Sequence, residues 1–529
     1  MAQLQLLWQD IKADFQAASG WIVKTATIGN FVALTWIGLS VVVCTLIVQD
    51  LMRDVATIEP IEVPKTLSET GYTSRVASYR LRDALNAYAE KASPRDDETS
   101  QNANLNSVAH DDISLHANLD LNLAARDELP DVVVPQIGLS LGAIISSIRS
   151  VLHKTGRTIS GELIDQGDNK YALRVRIDGR QVVGANHEPG TPDDLMTRAA
   201  PGIMDVIRPS VHAMALYRGG EKEQGLQKAA EIIARNDASD INVRWAYLLK
   251  GNHALQYGRY DEAQKMFSKA GLNWESEPLH MQFGALLLRQ RKPEKAKDHF
   301  ERAVSINPKS AMAHNSIGVA WAALAKRDDA APDPETLKSA VAQYEQAIAF
   351  APRYALAYNN YGLALSNIDE AIGKYRSAIE IAPDYLLARW NLAFALQGQG
   401  NFDAAATEYR GAIKVAEDPK KIEKDPQKLA ELHTFLGDVL WRKAGESGDL
   451  DDAVREYQRA IGVIDPRCYG WAHHNLGRIR QGQGKINDAI IELDKAATCE
   501  PSNQIFRDNL KEALGMHGAG AITTSQANR

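Results

Sequence analysis

An alanine that returns at Ala263, Ala296, Ala340, Ala371, Ala405, Ala453 and Ala489, at spacings of 33, 44, 31, 34, 48 and 36 residues, limits this chain's fold more than any other feature. Its neighbours return with it: Gly251/Ala263/Phe267/Ala270, Gly284/Ala296/Phe300/Ala303/Pro308, Gly318/Ala340/Tyr344/Ala347/Pro352, Gly362/Ala371/Tyr375/Ala378/Pro383, Ala393/Ala405/Tyr409/Ala412 and Gly437/Ala453/Tyr457/Ala460. Small residues at fixed offsets belong where two antiparallel helices cross closely, and the large ones fill the space between neighbours. Such a period describes a stack in which each unit covers the next. The alternative is a helical bundle whose regularity is coincidence. A chain of 529 residues is in any case too long for one hydrophobic core.

The clearest unit, WAHHNLGRIRQGQGKINDAIIELDKAATCEP at 471–501, resembles the tetratricopeptide (TPR) repeat through Leu476-Gly477, Ala489, Ala496 and Pro501. The resemblance covers the last three-fifths of the chain and implies a mostly α fold, an α-solenoid superhelix of about seven helix pairs over residues 209–516. Spacings of 44 and 48 require insertions, placed at Lys326–Glu335, Asp418–Gln427 and Gly445–Gly448. The spacing of 31 implies a shortened pair near Asn367, and Ala393 departs from the usual glycine. A degenerate pair at Ser210–Asn236 and a helix at Gln504–Met516 cap the array, and residues 517–529 are expected to be a disordered tail.

Upstream, residues 56–208 alternate strand and helix patterns, as in a small α/β domain. Ile58–Val63 reads as an edge strand, Thr73–Lys91 as a helix, and Val132–Val134 precedes a helix at Leu139–His153. TISGELI, YALRVRI and QVV then form a meander through Asp165–Asn169 and Asp178-Gly179, and Thr191-Pro192-Asp193-Asp194 starts another helix. Residues 95–128, rich in Asp, Asn, Ser and Gln, read as a flexible loop. The element order resembles small domains of the TolB amino-terminal type, without a diagnostic motif.

Ile28–Val48 contains no ionised side chain and is long enough to cross ~30 Å of hydrocarbon, so a transmembrane helix is expected there. Residues 1–27 carry Leu4, Leu7, Trp8, Ile11 and Phe15 at helical spacing, which suits an interfacial segment. Lys12 and Lys24 are balanced by Arg53 and Lys65, so the charges leave orientation open. A single uncleaved span near the N-terminus favours a bacterial inner-membrane anchor with a periplasmic body; a cytoplasmic body is the alternative.

The formal charge of −7 gives no footprint for nucleic acid. No phosphate-cradling, serine-nucleophile or zinc-hydrolase motif is present, so neither an enzyme nor a cofactor is expected. His110, Asp111, Asp112 and His116 are read as solvated loop residues rather than a metal site. His280, His314, His433 and His473 each stand four residues before a repeat's glycine, where side chains pack between paired helices. Cys468 and Cys499 fall at the same end of the final pair, close enough in topology to form a disulfide.

In the family that the repeats resemble, the first helix of each pair lines a concave groove for a partner peptide. Offsets from the repeat glycines place Asn252, Asn315, Asn359, Asn360, Leu363, Trp390, Asn391, Phe394, Trp441, Arg442, His474, Asn475 and Arg478 on that side. The same asparagines also suit ties between neighbouring helices. Lysines that would clamp a chaperone's terminal carboxylate are missing. The expected function is a membrane-anchored scaffold for a protein or peptide partner. The alternative is a sensor whose α/β domain binds a small molecule, or a cryptic enzyme, relayed by the repeats.

Overall fold

A computed structural model describes residues 56–92, 123–125, 133–134, 139–140, 157–184, 188–235, 240–272, 274–326, 332–418, 425–445, 450–464 and 469–527. The expected membrane span at 28–48 and the segment before it lie outside them. Among the described residues, no helix is long and apolar enough to cross a membrane. The chain divides into two compact units, one within residues 1–88 and 120–207, the other within 89–119 and 208–529.

The first unit is built on a five-stranded sheet of order β2-β1-β5-β6-β7, with β1 Ala56–Ile58, β2 Leu123–Ala125, β5 Thr158–Gly167, β6 Lys170–Ile177 and β7 Arg180–Val183. Strand β1 runs parallel to both β2 and β5, and the remainder is an antiparallel meander. Both hairpin turns use two residues at positive φ, Asp168 with Asn169 and Asp178 with Gly179, the geometry that matches strand twist. Ile159, Leu163, Leu173, Val175 and Ile177 are buried. Arg174 and Arg176 instead donate to Glu162 at 2.7 and 3.1 Å and hold its carboxyl below the usual range. Helix α1 (Lys65–Ser68) is short, and α2 (Ser74–Glu90) buries Ala77, Leu81 and Leu85. Helix α3 (Pro192–Ile207) packs on β6 and β7.

Three expectations for this unit change. The first strand is not an edge: it ends at Ile58, before Pro60, lies between two neighbours, and continues only as an isolated bridge from Glu62 to Glu162. Leu139–Ser140 forms β4, paired with β3 at Val133–Val134, so no helix begins at Leu139. Strand β2 falls inside the stretch expected to be a loop, because Leu123 and its alanines supply apolar residues that the preceding segment lacks.

The second unit is a run of antiparallel helix pairs. They are α4/α5 (Pro209–Arg218, Lys222–Arg235), α6/α7 (Ile241–Gln256, Tyr260–Ala270), α8/α9 (Glu277–Arg289, Pro293–Ile306) and α10/α11 (Ala311–Ala325, Pro334–Phe350). There follow α12/α13 (Ala355–Ala364, Ile368–Ile381), α14/α15 (Leu386–Gly398, Phe402–Ala416), α16/α17 (Pro426–Ala444, Asp451–Ile464), α18/α19 (Gly470–Gly482, Ile486–Cys499) and a closing α20 (Gln504–Ala527). Side chains of Asp240, Ser276, Ser310, Asp333, Asn367, Asn401 and Asp425 cap seven of these helices, each accepting from a backbone N–H of the first turn. The short spacing of 31 corresponds to α12, only 10 residues long. The helix expected to close at Met516 continues to Ala527, so the tail is helical there; no proline interrupts it.

Candidate functional site

Within six of the pairs, contact is set by a missing side chain, at Gly251, Gly284, Gly318, Gly362, Gly437 and Gly477. A Cβ on Gly318 would stand 2.6 Å from the Tyr344 ring, on Gly437 2.7 Å from Tyr457, and on Gly477 2.8 Å from Leu493. Each of those large residues lies four positions after the repeat alanine, so the first helix of a pair rides against the ring of the second. The rings are fully buried, and burial raises the Tyr344 and Tyr457 pKa values. In α14 an alanine, Ala393, takes the glycine's place, and Tyr409 is still fully buried.

A polar clamp joins the same two helices. The residue four before the glycine or alanine meets the residue three after the repeat alanine: His280 with His299 (3.1 Å), His314 with Gln343 (2.9 Å), Arg389 with Glu408 (2.7 Å), His433 with Glu456 (2.7 Å) and His473 with Glu492 (2.7 Å). His314, Tyr358 and Arg389 also donate to the carbonyls of Pro308, Pro352 and Pro383, which end the preceding repeats. Histidine suits this position because one flat ring serves two partners. Burial lowers the His299 pKa, and His280 adds to the effect. Among the described residues no group of three or more His, Cys, Asp or Glu is placed to hold a metal ion. His110, Asp111, Asp112 and His116 lie outside them.

Successive first helices are tied in a second way. Asn252 donates to Gln282 at 3.1 Å, Asn360 to Asn315 at 3.0 Å and Asn391 to Asn359 at 2.8 Å. Asn359 also donates to Asn360, which joins two of these rungs. The next rung is aromatic: Trp390 packs on Phe435 with ring centroids 5.2 Å apart, and the Lys428 ammonium sits 3.6 Å from the Trp390 centroid. Beyond it, Asn475 donates to Asp438 at 2.8 Å, and Asn509 to His474 at 2.8 Å. His474 is left to donate from Nδ1 to Asn475, so it is neutral, in keeping with a pKa lowered by burial.

This arrangement sorts the expected groove residues into three groups. Asn252, Asn315, Asn359, Asn360 and His474 are buried rungs whose polar atoms face one another, so they do not line an open surface. Asn391, Asn475, Trp390 and Trp441 are half-buried. Leu363 (41% exposed), Phe394 (60% exposed), Arg442 and Arg478 stand in solvent on consecutive first helices. Leu363 and Phe394 occupy the same offset, one residue after the small residue of their helix.

Asp438 shares that offset and was not singled out from the sequence, although the offset alone marks it. It accepts from Tyr457 at 2.6 Å as well as from Asn475, and burial pushes its carboxyl up to about 6. Burial also raises Tyr457, with the Asp438 charge adding to it. Elsewhere, Cys499 is disulfide-bonded; Cys468, its expected partner, lies outside the described residues.

A family model described as tetratricopeptide repeat matches residues 281–335 and 390–468. No curated protein matches the chain. Among solved structures it is similar to the APC/C hetero-tetramer Cut9-Hcn1 (14% identity, TM-score 0.36), over 58% of this chain and 63% of that one, less than two-thirds of its length. It is also similar to pilF of Pseudomonas aeruginosa (17%, 45% of this chain and 97% of that one, TM-score 0.35). A thermophilic TPR protein of Thermus thermophilus aligns at 21% identity over 37% of this chain and 98% of its own, with a TM-score of 0.32. No comparison supports the likeness of the first unit to the TolB amino-terminal type. The matched segments fall among the helix pairs whose glycine, alanine and aromatic residues interlock, and that part of the chain carries tetratricopeptide repeats.

Proposed function

We propose that this chain is a scaffold that holds a segment of a protein partner against the wall of its first helices. The observation that carries the reading is the pair Leu363 and Phe394, large apolar side chains left in water at equivalent positions of neighbouring first helices. A buried amide ladder stiffens the wall behind them, so little ordering is left to accompany binding. Trp390, Trp441, Arg442 and Arg478 extend the surface along α14, α16 and α18, and such side chains concentrate binding energy at interfaces. Nothing in this role requires a catalytic group or a cofactor.

The uncharged stretch at 28–48 supports anchoring in a bacterial inner membrane. The disulfide at Cys499 supports a body facing an oxidising compartment, hence the periplasm. Crosslinked pull-down from membranes tests the scaffold reading: a Leu363→Ser/Phe394→Ser chain loses partners that the unaltered chain recovers, and identical recovery refutes it. Reporter fusions at the C-terminus test the orientation.

A second reading makes the α/β unit a small-molecule sensor. It is supported by a recess of about 360 Å³ lined by Leu67, Thr70, Gly71, Tyr72, Thr191 and Asp193. There Tyr72 donates to Asp193 at 3.0 Å, with its pKa raised by burial, and Arg80 lies 3.7 Å from the same carboxylate. A metabolite panel that shifts unfolding of the full chain, but not of Tyr72→Phe, is the expected outcome on this reading.

A further inference from the structure

The chemistry of the wall narrows the kind of segment it takes. The chain as a whole is acidic, with 67 Asp and Glu against 60 Lys and Arg. The first helices depart from that balance on the side that carries Leu363 and Phe394. At the positions one, four and five residues after each small residue, from Gly251 to Gly477, the charged side chains are Arg289, Asp438, Arg442 and Arg478. Arg289 is half-buried, whereas Arg442 and Arg478 are exposed. The one carboxylate, Asp438, is occupied by Tyr457 and Asn475, and its proton affinity is raised. At those offsets the wall therefore offers water two guanidinium groups and a row of apolar side chains. Arg442 lies near the partly buried Asp438 and Arg478 lies 3.9 Å from Glu512 of the closing helix, while Lys428 and Glu431 beside Trp390 pair with each other at 3.1 Å.

We propose that the occupant is an acidic peptide segment studded with large apolar residues, a deepening that rests on the wall-binding reading above. Its apolar side chains lie on Leu363 and Phe394, and its carboxylates meet Arg442 and Arg478. Arginine suits the second task because its planar fork pairs with a carboxylate through two hydrogen bonds. Arg478 already donates to Asn509 at 2.9 Å, which holds its head in place. The charge also opposes wrong partners: a basic segment would place its cations against both arginines, with Glu512 near Arg478 as a partial offset.

Fluorescence anisotropy with the full-length chain tests this, using three labelled peptides of equal length that alternate leucine with glutamate, lysine or glutamine. The glutamate peptide is expected to bind best and roughly tenfold more tightly than the lysine peptide, the scale two partly exposed ion pairs supply. That advantage is expected to shrink as salt is added and to vanish in Arg442→Gln/Arg478→Gln, while Phe394→Ser weakens all three peptides. Equal or tighter binding of the lysine peptide, or an unchanged preference in the double-glutamine chain, overturns the acidic assignment but leaves the wall in place if Phe394→Ser still weakens binding. Should Phe394→Ser leave every peptide's affinity unaltered, the wall reading falls with it.

Discussion

The crossing inside a helix pair and the junction between pairs are held by different physics. Inside a pair the fit is steric and repeats with little variation, with glycine against a ring at Gly318 and Tyr344 and again at Gly437 and Tyr457. Between pairs the rung changes from amide–amide at Asn315 and Asn360, to ring on ring at Trp390 and Phe435, to amide–carboxylate at Asn475 and Asp438. A crossing fixed by shape tolerates almost no substitution, because a dense interior has no room for an added side chain. A junction fixed by pairing tolerates any chemistry that leaves no donor or acceptor alone. Variation therefore gathers on the first helices, the same helices that carry the proposed binding wall.

Breaking the crossing is expected to have the largest effect. Gly318→Leu drives a branched side chain into the fully buried Tyr344 ring and should cost about 3 kcal/mol or more. Chemical unfolding measures it, and a loss below about 1 kcal/mol would mean that the pair is not set by shape. At the junction, Asn360→Leu strands the Asn315 oxygen and removes the acceptor for Asn359, for an expected loss of about 2 kcal/mol. If Asn315→Leu/Asn360→Leu recovers part of that loss, the pairing argument is sharpened.

The acidic rung gives a pH test. The folded pKa of Asp438, about 6, lies above its free value, so folding favours the protonated form. Its contribution is fully present below about pH 4. It is lost as pH rises through about 6. Asp438→Asn keeps an acceptor for Tyr457 and Asn475 without the buried charge. The variant should be about 1–2 kcal/mol more stable than the original chain at pH 7.5, after allowing for the side chain's partial exposure, and equal to it at pH 4. Parallel pH profiles would contradict the assignment.

Much of this array was legible in the sequence because close packing has a residue code. Gly251, Ala263 and Phe267 mark the crossing of the first repeat, and the same trio locates the others without coordinates. The turn between paired helices is similarly legible: Gly258, Gly400 and Gly484 have φ of 70°, 77° and 74°, and among the described turns of this kind Arg291 is the non-glycine that holds that conformation, at 57°. Arg291→Gly should accordingly stabilise the chain, by about 0.5–1 kcal/mol.

The site was less legible, because offsets along a helix give a direction but not burial. Asn359 and Phe394 were both placed on the groove side, yet one is buried under its neighbour's amide and the other stands in water. The offset marks Asp438 as well, but what gives it a role is its burial beside Tyr457 and Asn475, which no offset shows. In the α/β unit, the turn residues and alternating strands fixed the meander, while β2 and β4 are two or three residues long, too short for any periodicity.

The smallest expected effect on stability belongs to the wall itself: Phe394→Ser should change the unfolding free energy by no more than about 0.5 kcal/mol, since the ring is mostly exposed. Hydrogen exchange on the full-length chain, with and without a partner segment recovered by crosslinking, tests the central claim most directly. The account predicts added protection in α12, α14, α16 and α18, around Leu363, Phe394, Trp441 and Arg478, with the second helices of those pairs unchanged. Protection confined to the second helices, or to the α/β unit, would contradict it.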